Sequence, residues 1–311
     1  MKALAALVMR GRMPAIAVAT VLAALSLIIL PLGLLSAAAV ALVTLRKGMR
    51  EGAVVLAGGL LALAGLGAVI FHSPLALALL GLLFWAPVWV LGLLLRSSRS
   101  LVLTLEVGLL VAAGLVLVQY LLGDPVAYWT QLLGEFLARS VDPEMLGDTE
   151  RQQLVAAMAP WMVGGVAASW FLQQALVLLL ARYWQAALYN PGGFRSEFHA
   201  LRLHRSVLLV LPALLVGAWA QGQAASLSAQ LVLVLEAGLL LQGVALVHGL
   251  VGRLHAGIGW LVGFYSLLVV AFPYGITLVT MAGYIDGWLD FRAKVRSRSG
   301  TDGAGNNPRG E

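Results

Sequence analysis

Few side chains in this sequence carry chemistry, and the most informative of them stand inside long apolar runs. Glu236 lies near the middle of the run 226–250. A charged side chain costs about 2.5–3.5 kcal/mol at that depth of a lipid bilayer. Ala229 and Gly243, seven residues to either side, share its helical face and allow another helix to approach closely. We therefore predict that Glu236 faces neighbouring helices. The candidate binding residues within the apolar runs are Glu106, Glu236 and Gln242.

Two roles are open for the Glu236 carboxyl group. As a neutral acid bonded to a glutamine of an adjacent helix, it would be structural. As a proton-exchanging group, or as the counter-charge to a cationic solute, it would be functional.

Sequence motifs of enzymes are absent. The chain has no Cys, no His-Glu-x-x-His, no phosphate-binding glycine loop and no Gly-x-Ser-x-Gly. Asp286 and Asp290 lie four residues apart beside Arg292 and Lys294, a spacing that favours ion pairs over a catalytic acid pair. We expect no enzymatic activity, no metal and no cofactor.

The composition indicates the environment of the chain. Of its 311 residues 61% are hydrophobic and 11% are charged, against about 25% charged in soluble domains. The net charge of +6 is explained by basic residues beside apolar spans, so we expect no nucleic-acid partner. The sequence predicts an all-α fold, a polytopic transmembrane helical bundle in a lipid bilayer.

We divide the chain into about 8 to 10 membrane segments, some of them short or broken. The run 13–45 would form a helix of about 50 Å, which exceeds a hydrocarbon core of about 30 Å, and Pro31 supplies a break. The run 257–291 is divided in the same way at Pro273. Whether these two runs cross fully or are re-entrant is left open. The other segments are 52–70, 75–95, 101–122, 154–181, 206–221 and 226–250.

The basic residues predict the orientation. With ten segments and the N-terminus inside, 18 of the 20 Lys and Arg residues fall on the inner side. This distribution predicts a multi-pass protein of the bacterial cytoplasmic (inner) membrane with both termini in the cytoplasm. Residues 1–292 form the predicted membrane domain, and 293–311 a disordered cytoplasmic tail.

The longest outer stretch, 123–153, contains an amphipathic pattern. Its apolar residues follow helical spacing and lie on one face: Trp129, Leu132, Leu133, Phe136 and Leu137. The pattern is typical of a helix lying on the outer leaflet. A lid over an outward-facing cavity is the other interpretation.

The inner loop 182–205 is the second distinctive stretch. A turn is predicted at Asn190, Pro191, Gly192 and Gly193. Beyond it, one apolar and one basic helical face are predicted from Phe194, Phe198, Leu201, Arg195, His199 and Arg202. This basic amphipathic helix would bind anionic lipid headgroups or a membrane or cytoplasmic protein partner.

Three stretches together resemble a known family: LVTLRKGMREG at 42–52, NPGGFRSEFHALRL at 190–203 and FPYGITLVTMAGYIDGWLDFR at 272–292. They are similar to the YybS-like family of predicted bacterial membrane proteins, a domain of unknown function. That family is distantly similar to the S components of energy-coupling-factor importers and to the rod-shape protein MreD. S components carry small residues spaced by four on their first helix, where the coupling subunit docks. Ala15, Ala19 and Ala23 match that spacing, and packing within the chain explains it as well.

Two functions follow as hypotheses. The first is a transporter-like or solute-binding membrane subunit, with a cavity open towards the outer loop and the inner loop as its partner face. The alternative is a non-enzymatic membrane scaffold for envelope assembly proteins, as the resemblance to MreD implies. A solute-binding subunit requires a cavity between helices, whereas a scaffold requires an exposed apolar side that another protein covers.

Overall fold

A computed structural model describes residues 1–142 and 145–298. These residues form helices and contain no strand, so the predicted all-α fold is confirmed. In chain order the helices are α1 (Lys2–Met9), α2 (Arg12–Leu25), α3 (Leu32–Lys47), α4 (Met49–Phe71), α5 (Pro74–Ser98), α6 (Leu101–Leu122), α7 (Pro125–Ser140), α8 (Asp148–Tyr189), α9 (Gly193–His199), α10 (Arg205–Gln221), α11 (Leu227–Arg253), α12 (Gly259–Val270), α13 (Tyr274–Leu289) and α14 (Phe291–Arg298).

Within the described residues, five helices are long and apolar enough to cross a membrane: α4, α5, α6, α8 and α11. Three shorter apolar helices are α2, α10 and α12. All eight coincide with predicted segments, and α3 and α13 occupy the remaining two. The helices therefore agree with a multi-pass membrane protein.

Both predicted chain breaks separate helices. α2 ends at Leu25 and α3 begins at Leu32, so Pro31 immediately precedes the new helix, where its missing N–H is harmless. α12 ends at Val270 and α13 begins at Tyr274, directly after Pro273. Proline fits the start of a helix well, because the N–H that it lacks has no partner within the helix there, and both positions agree with this preference.

Helix α8 is longer than the predicted segment 154–181. It contains 42 residues, about 63 Å at 1.5 Å per residue. Both extensions consist largely of residues with good helix propensity, including Glu, Gln, Arg and Ala, so the helix continues where the apolar run has ended.

Residues 1–108 and 172–197 form the first of two compact units. Its core is α3, in which every residue of 36–45 is buried. Small side chains dominate this stretch, so α2, α4 and α5 pack closely around it. Trp85 Nε1 donates to Ser36 Oγ at 3.1 Å, and that hydroxyl donates to the Ala19 carbonyl at 2.7 Å. The Trp85 indole and the Ser36 hydroxyl thus both have hydrogen-bond partners, whereas the buried Thr20 Oγ1 and Trp89 Nε1 of the same unit have none among the described residues.

The small residues of α2 contribute to the same core. Ala15 and Ala19 are fully buried within the first unit, and Ala23 is half-buried. Side chains buried inside the chain are not available to a coupling subunit. Internal packing therefore explains the spacing of these alanines.

Residues 109–171 and 198–311 form the second unit, described as far as residue 298. α11 packs against α10, α12, α13 and α14. A Cβ at Gly243 would overlap the Val279 carbonyl of α13, and one at Gly283 would overlap the backbone of α11 at Leu239. The close approach predicted at Gly243 is therefore confirmed, and Gly283 is its counterpart on the other helix.

A buried glutamine of α11, Gln230, forms hydrogen bonds with backbone groups of α8 within this unit. The Gln230 Oε1 accepts from Gly164 N–H at 2.6 Å, and its Nε2 donates to the Pro160 carbonyl at 2.8 Å. These are the two groups that an uninterrupted α8 would pair with each other. The Gln230 amide is therefore inserted into α8 four residues after a proline, and Gly164 leaves space for it. Gln230 is not among the polar residues predicted from the sequence to have a role.

Part of the predicted tail is helical, because α14 extends to Arg298. The rest of that prediction, 299–311, lies outside the described residues.

Candidate functional site

The second unit contains a cavity of about 590 Å³ between α6, α7 and α8. Most of its lining is apolar or aromatic. The lining residues are Leu115, Val118, Gln119, Leu122, Gly123, Asp124, Pro125, Tyr128, Trp129, Val166, Ala167 and Trp170. A volume of this size lies within the range of small-molecule sites in proteins, which is about 300–1,000 Å³.

The start of α7 closes one side of this cavity. Asp124 is the N-cap of the helix, and its carboxylate accepts from the backbone N–H groups of Val126 at 2.9 Å and Ala127 at 3.1 Å. Trp129, one turn further on, donates its Nε1–H to Gln119 Oε1 of α6 at 2.9 Å. The Asp124 cap thus determines where α7 begins, and the hydrogen bond from Trp129 to Gln119 determines which side of α7 packs against α6.

The predicted amphipathic helix is confirmed as α7, and its apolar residues divide into two groups. Trp129, Leu133 and Leu137 are half-buried, whereas Leu132 and Phe136 are exposed. The first turn contributes Tyr128 and Trp129 to the cavity, and the later turns contribute none of its lining. The geometry is thus consistent with a lid at one end of the helix and with an interfacial surface at the other.

The cavity is suited to a mainly apolar molecule. Gln119 Oε1 is occupied by Trp129, and Gln119 Nε2 donates to the Leu115 carbonyl at a long 3.3 Å. That amide retains a second N–H, which a ligand can accept. The Asp124 carboxylate is committed to its helix cap. Three aromatic rings, those of Tyr128, Trp129 and Trp170, supply broad apolar contact.

None of the three predicted intramembrane candidates lines this cavity. Glu236 is half-buried on α11, and no residue in the described part of the chain forms a hydrogen bond or ion pair with it. It lies on the least buried stripe of the helix, together with Leu233, Leu240 and Val244. The hydrogen bond to a neighbouring glutamine that the structural role requires is therefore not formed. Glu106 is buried on α6, in the first unit.

Gln242 is fully buried and joins three parts of the second unit. Its Oε1 accepts from Leu203 N–H at 2.7 Å, and its Nε2 donates to the Gly283 carbonyl at 2.6 Å. The side chain thus connects α11 to α13 and to the segment before α10. Both ends of its amide are already engaged, which indicates a structural role.

The inner loop contains the predicted turn. Residues 190–192 lie outside the helices, Gly192 has φ +90°, and Gly193 N–H donates to the Asn190 carbonyl at 3.0 Å. The predicted amphipathic helix is shorter than expected, because α9 ends at His199. Leu201 and Arg202 consequently do not belong to its faces, and a continuous basic helix extending to Arg202 is wrong.

The side chains of this loop have different surroundings. In the first unit, Arg195 is exposed and Phe194 packs edge-on against Tyr183, with 5.8 Å between ring centroids. In the second unit, Phe198 packs edge-on against His248 at 5.5 Å. Arg195 is therefore a surface group, as is Arg205 at the end of the loop.

The segment 199–203 is held by a cluster of four charged residues that we call the C-terminal latch: Arg202, Asp286, Asp290 and Arg292. Arg292 and Asp286 are buried and pair at 2.5 Å. The Arg292 guanidinium also donates to the His199 carbonyl at 2.7 Å and to the Leu201 carbonyl at 2.9 Å. Its own carbonyl accepts from Arg253. Asp286 thus pairs with Arg292 as predicted.

The second pair of the latch differs from the expectation. Asp290 binds Arg202 at 2.6 Å, and Lys294 lies over the Phe291 ring. The hydrogen bond from the Arg202 guanidinium lowers the pKa of Asp290 from 3.8 to about 2. Arg202 was predicted to be a partner or lipid-binding residue, and the structure shows it bound to this carboxylate.

Comparisons of the chain with known proteins give no family assignment. Protein-family models, curated proteins and solved structures yield no match to the chain. Across the described residues, no group of three or more His, Cys, Asp or Glu side chains is arranged to hold a metal ion.

Proposed function

We propose that this protein is a solute-binding or transporter-like subunit of the bacterial inner membrane. The proposal includes 8 to 10 membrane segments, with α7 on the outer side and both termini in the cytoplasm. It also includes membership of the YybS-like family. The strong bias of Lys and Arg between the two sets of loops supports this orientation.

The observation that carries the proposal is the cavity between α6, α7 and α8. Its volume of about 590 Å³ is sufficient for a small molecule, and aromatic side chains line part of it. α7 belongs to the predicted outer loop, so a molecule bound here is accessible from that side. The expected ligand is mainly apolar and carries a hydrogen-bond acceptor for the free N–H of Gln119.

A pair of matched substitutions tests the proposal. Val166 lines the cavity and is 41% exposed, whereas Val111 on α6 is 43% exposed and does not line it. Val166→Trp fills the cavity without removing a hydrogen bond, and Val111→Trp adds the same side chain elsewhere in the same unit. Native mass spectrometry of the mildly solubilised proteins measures retained small molecules. We expect wild type and Val111→Trp to retain a ligand that Val166→Trp loses.

Equal retention by both variants, or no bound molecule in any of them, would contradict the proposal. Retention of another membrane protein without a small molecule would instead favour the scaffold function.

A further inference from the structure

The first unit contains a second cavity, of about 460 Å³, that is lined by arginines of three different helices. Arg46 belongs to the last turn of α3, Arg96 and Arg99 to the end of α5, and Arg182 to α8. The lining contains one carboxylate, that of Glu197. This site is separate from the cavity proposed to bind a solute, and the inference does not depend on that proposal.

Two of these arginines are engaged within the protein. Arg182 makes a bidentate pair with Glu197, at 2.8 and 2.6 Å, and also donates to Gln185. Arg96 Nη1 donates to the carbonyls of Leu45 and Arg46, at 2.7 and 2.9 Å, and so caps the end of α3. The single carboxylate is therefore neutralised by Arg182, and the charge on Arg96 has no acidic partner in the cavity.

The other two arginines retain unused donors. Arg46 lies over the Tyr189 ring, with its Cζ 4.2 Å from the ring centroid. No hydrogen bond or ion pair within the described chain engages its guanidinium N–H groups. Arg99 ends α5 in a left-handed conformation, and no hydrogen bond or ion pair within the described chain engages its side chain. Three uncompensated guanidinium groups thus border one cavity.

We propose that this cavity binds the phosphate group of an anionic phospholipid. Guanidinium groups bind phosphate oxygens bidentately, and two arginines here offer that geometry. Leu45 and Leu95 give the same cavity an apolar wall, suited to the first carbons of the lipid chains. The arginines lie where the apolar stretches of α3 and α5 end, and the proposed topology places these ends at the depth of lipid headgroups.

Helix dipoles alone do not account for the arrangement. A cation at a helix C-terminus is stabilised by the last carbonyls, and Arg96 makes that contact directly. The side chains of Arg46 and Arg99 border the cavity instead. A soluble phosphate ester offers the same oxygens as a lipid, so the experiment separates these two sources.

The test uses the full-length protein in nanodiscs that contain either phosphatidylglycerol or phosphatidylcholine. Native mass spectrometry measures lipid retained after release, and titration with inorganic phosphate, followed by ³¹P NMR, measures binding of the free anion. Arg46→Gln with Arg99→Gln removes the unused donors and preserves the Arg96 cap and the Arg182–Glu197 pair. Arg10→Gln with Arg50→Gln removes the same charge from exposed positions of the same unit outside the cavity.

We expect one phosphatidylglycerol to be retained by wild type and by the Arg10/Arg50 control, and affinity to fall about tenfold or more in the Arg46/Arg99 variant. Arg46→Lys with Arg99→Lys should fall in between, because it keeps the charge and loses the bidentate fork. Saturable phosphate binding without lipid retention, lost in the same variant, would assign the site to a soluble phosphate.

The proposal would be overturned if both glutamine double variants lost lipid affinity equally. It would also be overturned if wild type neither retained phosphatidylglycerol nor bound inorganic phosphate. If the double variant does not fold, as judged by circular dichroism and gel filtration, Arg99→Gln alone is measured against Arg50→Gln. The same direction of change is expected, with a smaller loss.

Discussion

The polar residues of the apolar helices differ in whether their hydrogen-bonding groups are satisfied. Gln230 and Gln242 are buried, and both ends of each amide have backbone partners. Glu236, which the sequence singles out more strongly, is half-buried and has no such partner among the described residues. A hydrogen-bonded amide is tolerated inside a bundle because it carries no charge. The two glutamines are therefore structural, whereas a binding role for Glu236 stays a prediction.

Gln242→Leu should lower stability by about 2 kcal/mol or more, because the N–H of Leu203 and the carbonyl of Gly283 lose their buried partner. Thermal unfolding of the purified protein, followed by circular dichroism, measures the change. Gln173→Leu is the control, since Gln173 is half-buried in α8 and makes no hydrogen bond among the described residues. Equal midpoints for the two variants would show that Gln242 is not a structural connection.

At the scale of elements, short segments depend on contacts made by residues distant in sequence. Residues 200–204 have no helical structure, yet Leu201 and Leu203 are buried. The latch and Gln242 supply partners for the carbonyls of His199 and Leu201 and for the N–H of Leu203. A non-helical segment exposes backbone groups that must be paired once they are buried. The end of α13 and the start of α14 are therefore part of what orders the inner loop.

The Asp290–Arg202 pair should make stability depend on pH. The pKa of Asp290 is lowered from 3.8 to about 2 in the folded protein, so its contribution is complete above about pH 4 and is lost as the pH falls towards 2. The Asp290 side chain is 45% exposed, so we expect less than about 1 kcal/mol. Unfolding midpoints of wild type and Asp290→Asn should differ at pH 6 and converge near pH 2.

Asp148→Asn serves as the comparison for that measurement, because it removes an exposed carboxylate 3.5 Å from Arg151, outside the latch. A difference between wild type and Asp290→Asn that persists unchanged to pH 2 would contradict the assigned pair.

At the scale of the whole molecule, the proposed orientation in the membrane rests on the distribution of charge. The outer stretch with α7 and the inner loop with α9 are separated along the chain by the long helix α8. Lys and Arg are retained on the cytoplasmic side during insertion, and 18 of the 20 fall on one side of the proposed topology.

Introduced cysteines test this orientation without interference, because the chain has no native cysteine. Ser140 and Ser196 are exposed, at the end of α7 and in α9. In intact spheroplasts, an impermeant maleimide should label Ser140→Cys. It should label Ser196→Cys only after the membrane has been permeabilised. The reverse pattern would refute the orientation, and labelling of both in intact spheroplasts would refute an odd number of crossings in α8.

The sequence by itself determined the class of the protein and where its helices lie. Hydrophobicity and proline positions act over a few neighbouring residues, so the apolar runs and the breaks at Pro31 and Pro273 match the helices. Helix ends were less well determined: the polar ends of α8 are good helix formers, and α9 ends at His199. The patterns of hydrophobicity that defined the runs contain no information about those ends.

Only the tertiary structure decided which polar groups meet. Two of the three partners of Gln230 lie 66 and 70 residues away, and Arg292 binds carbonyls 91 and 93 residues away. Such pairs depend on how helices pack, and no local periodicity encodes them. For the same reason the residues that line the two cavities could not be assigned from the sequence, because each cavity is bordered by residues of three or more elements.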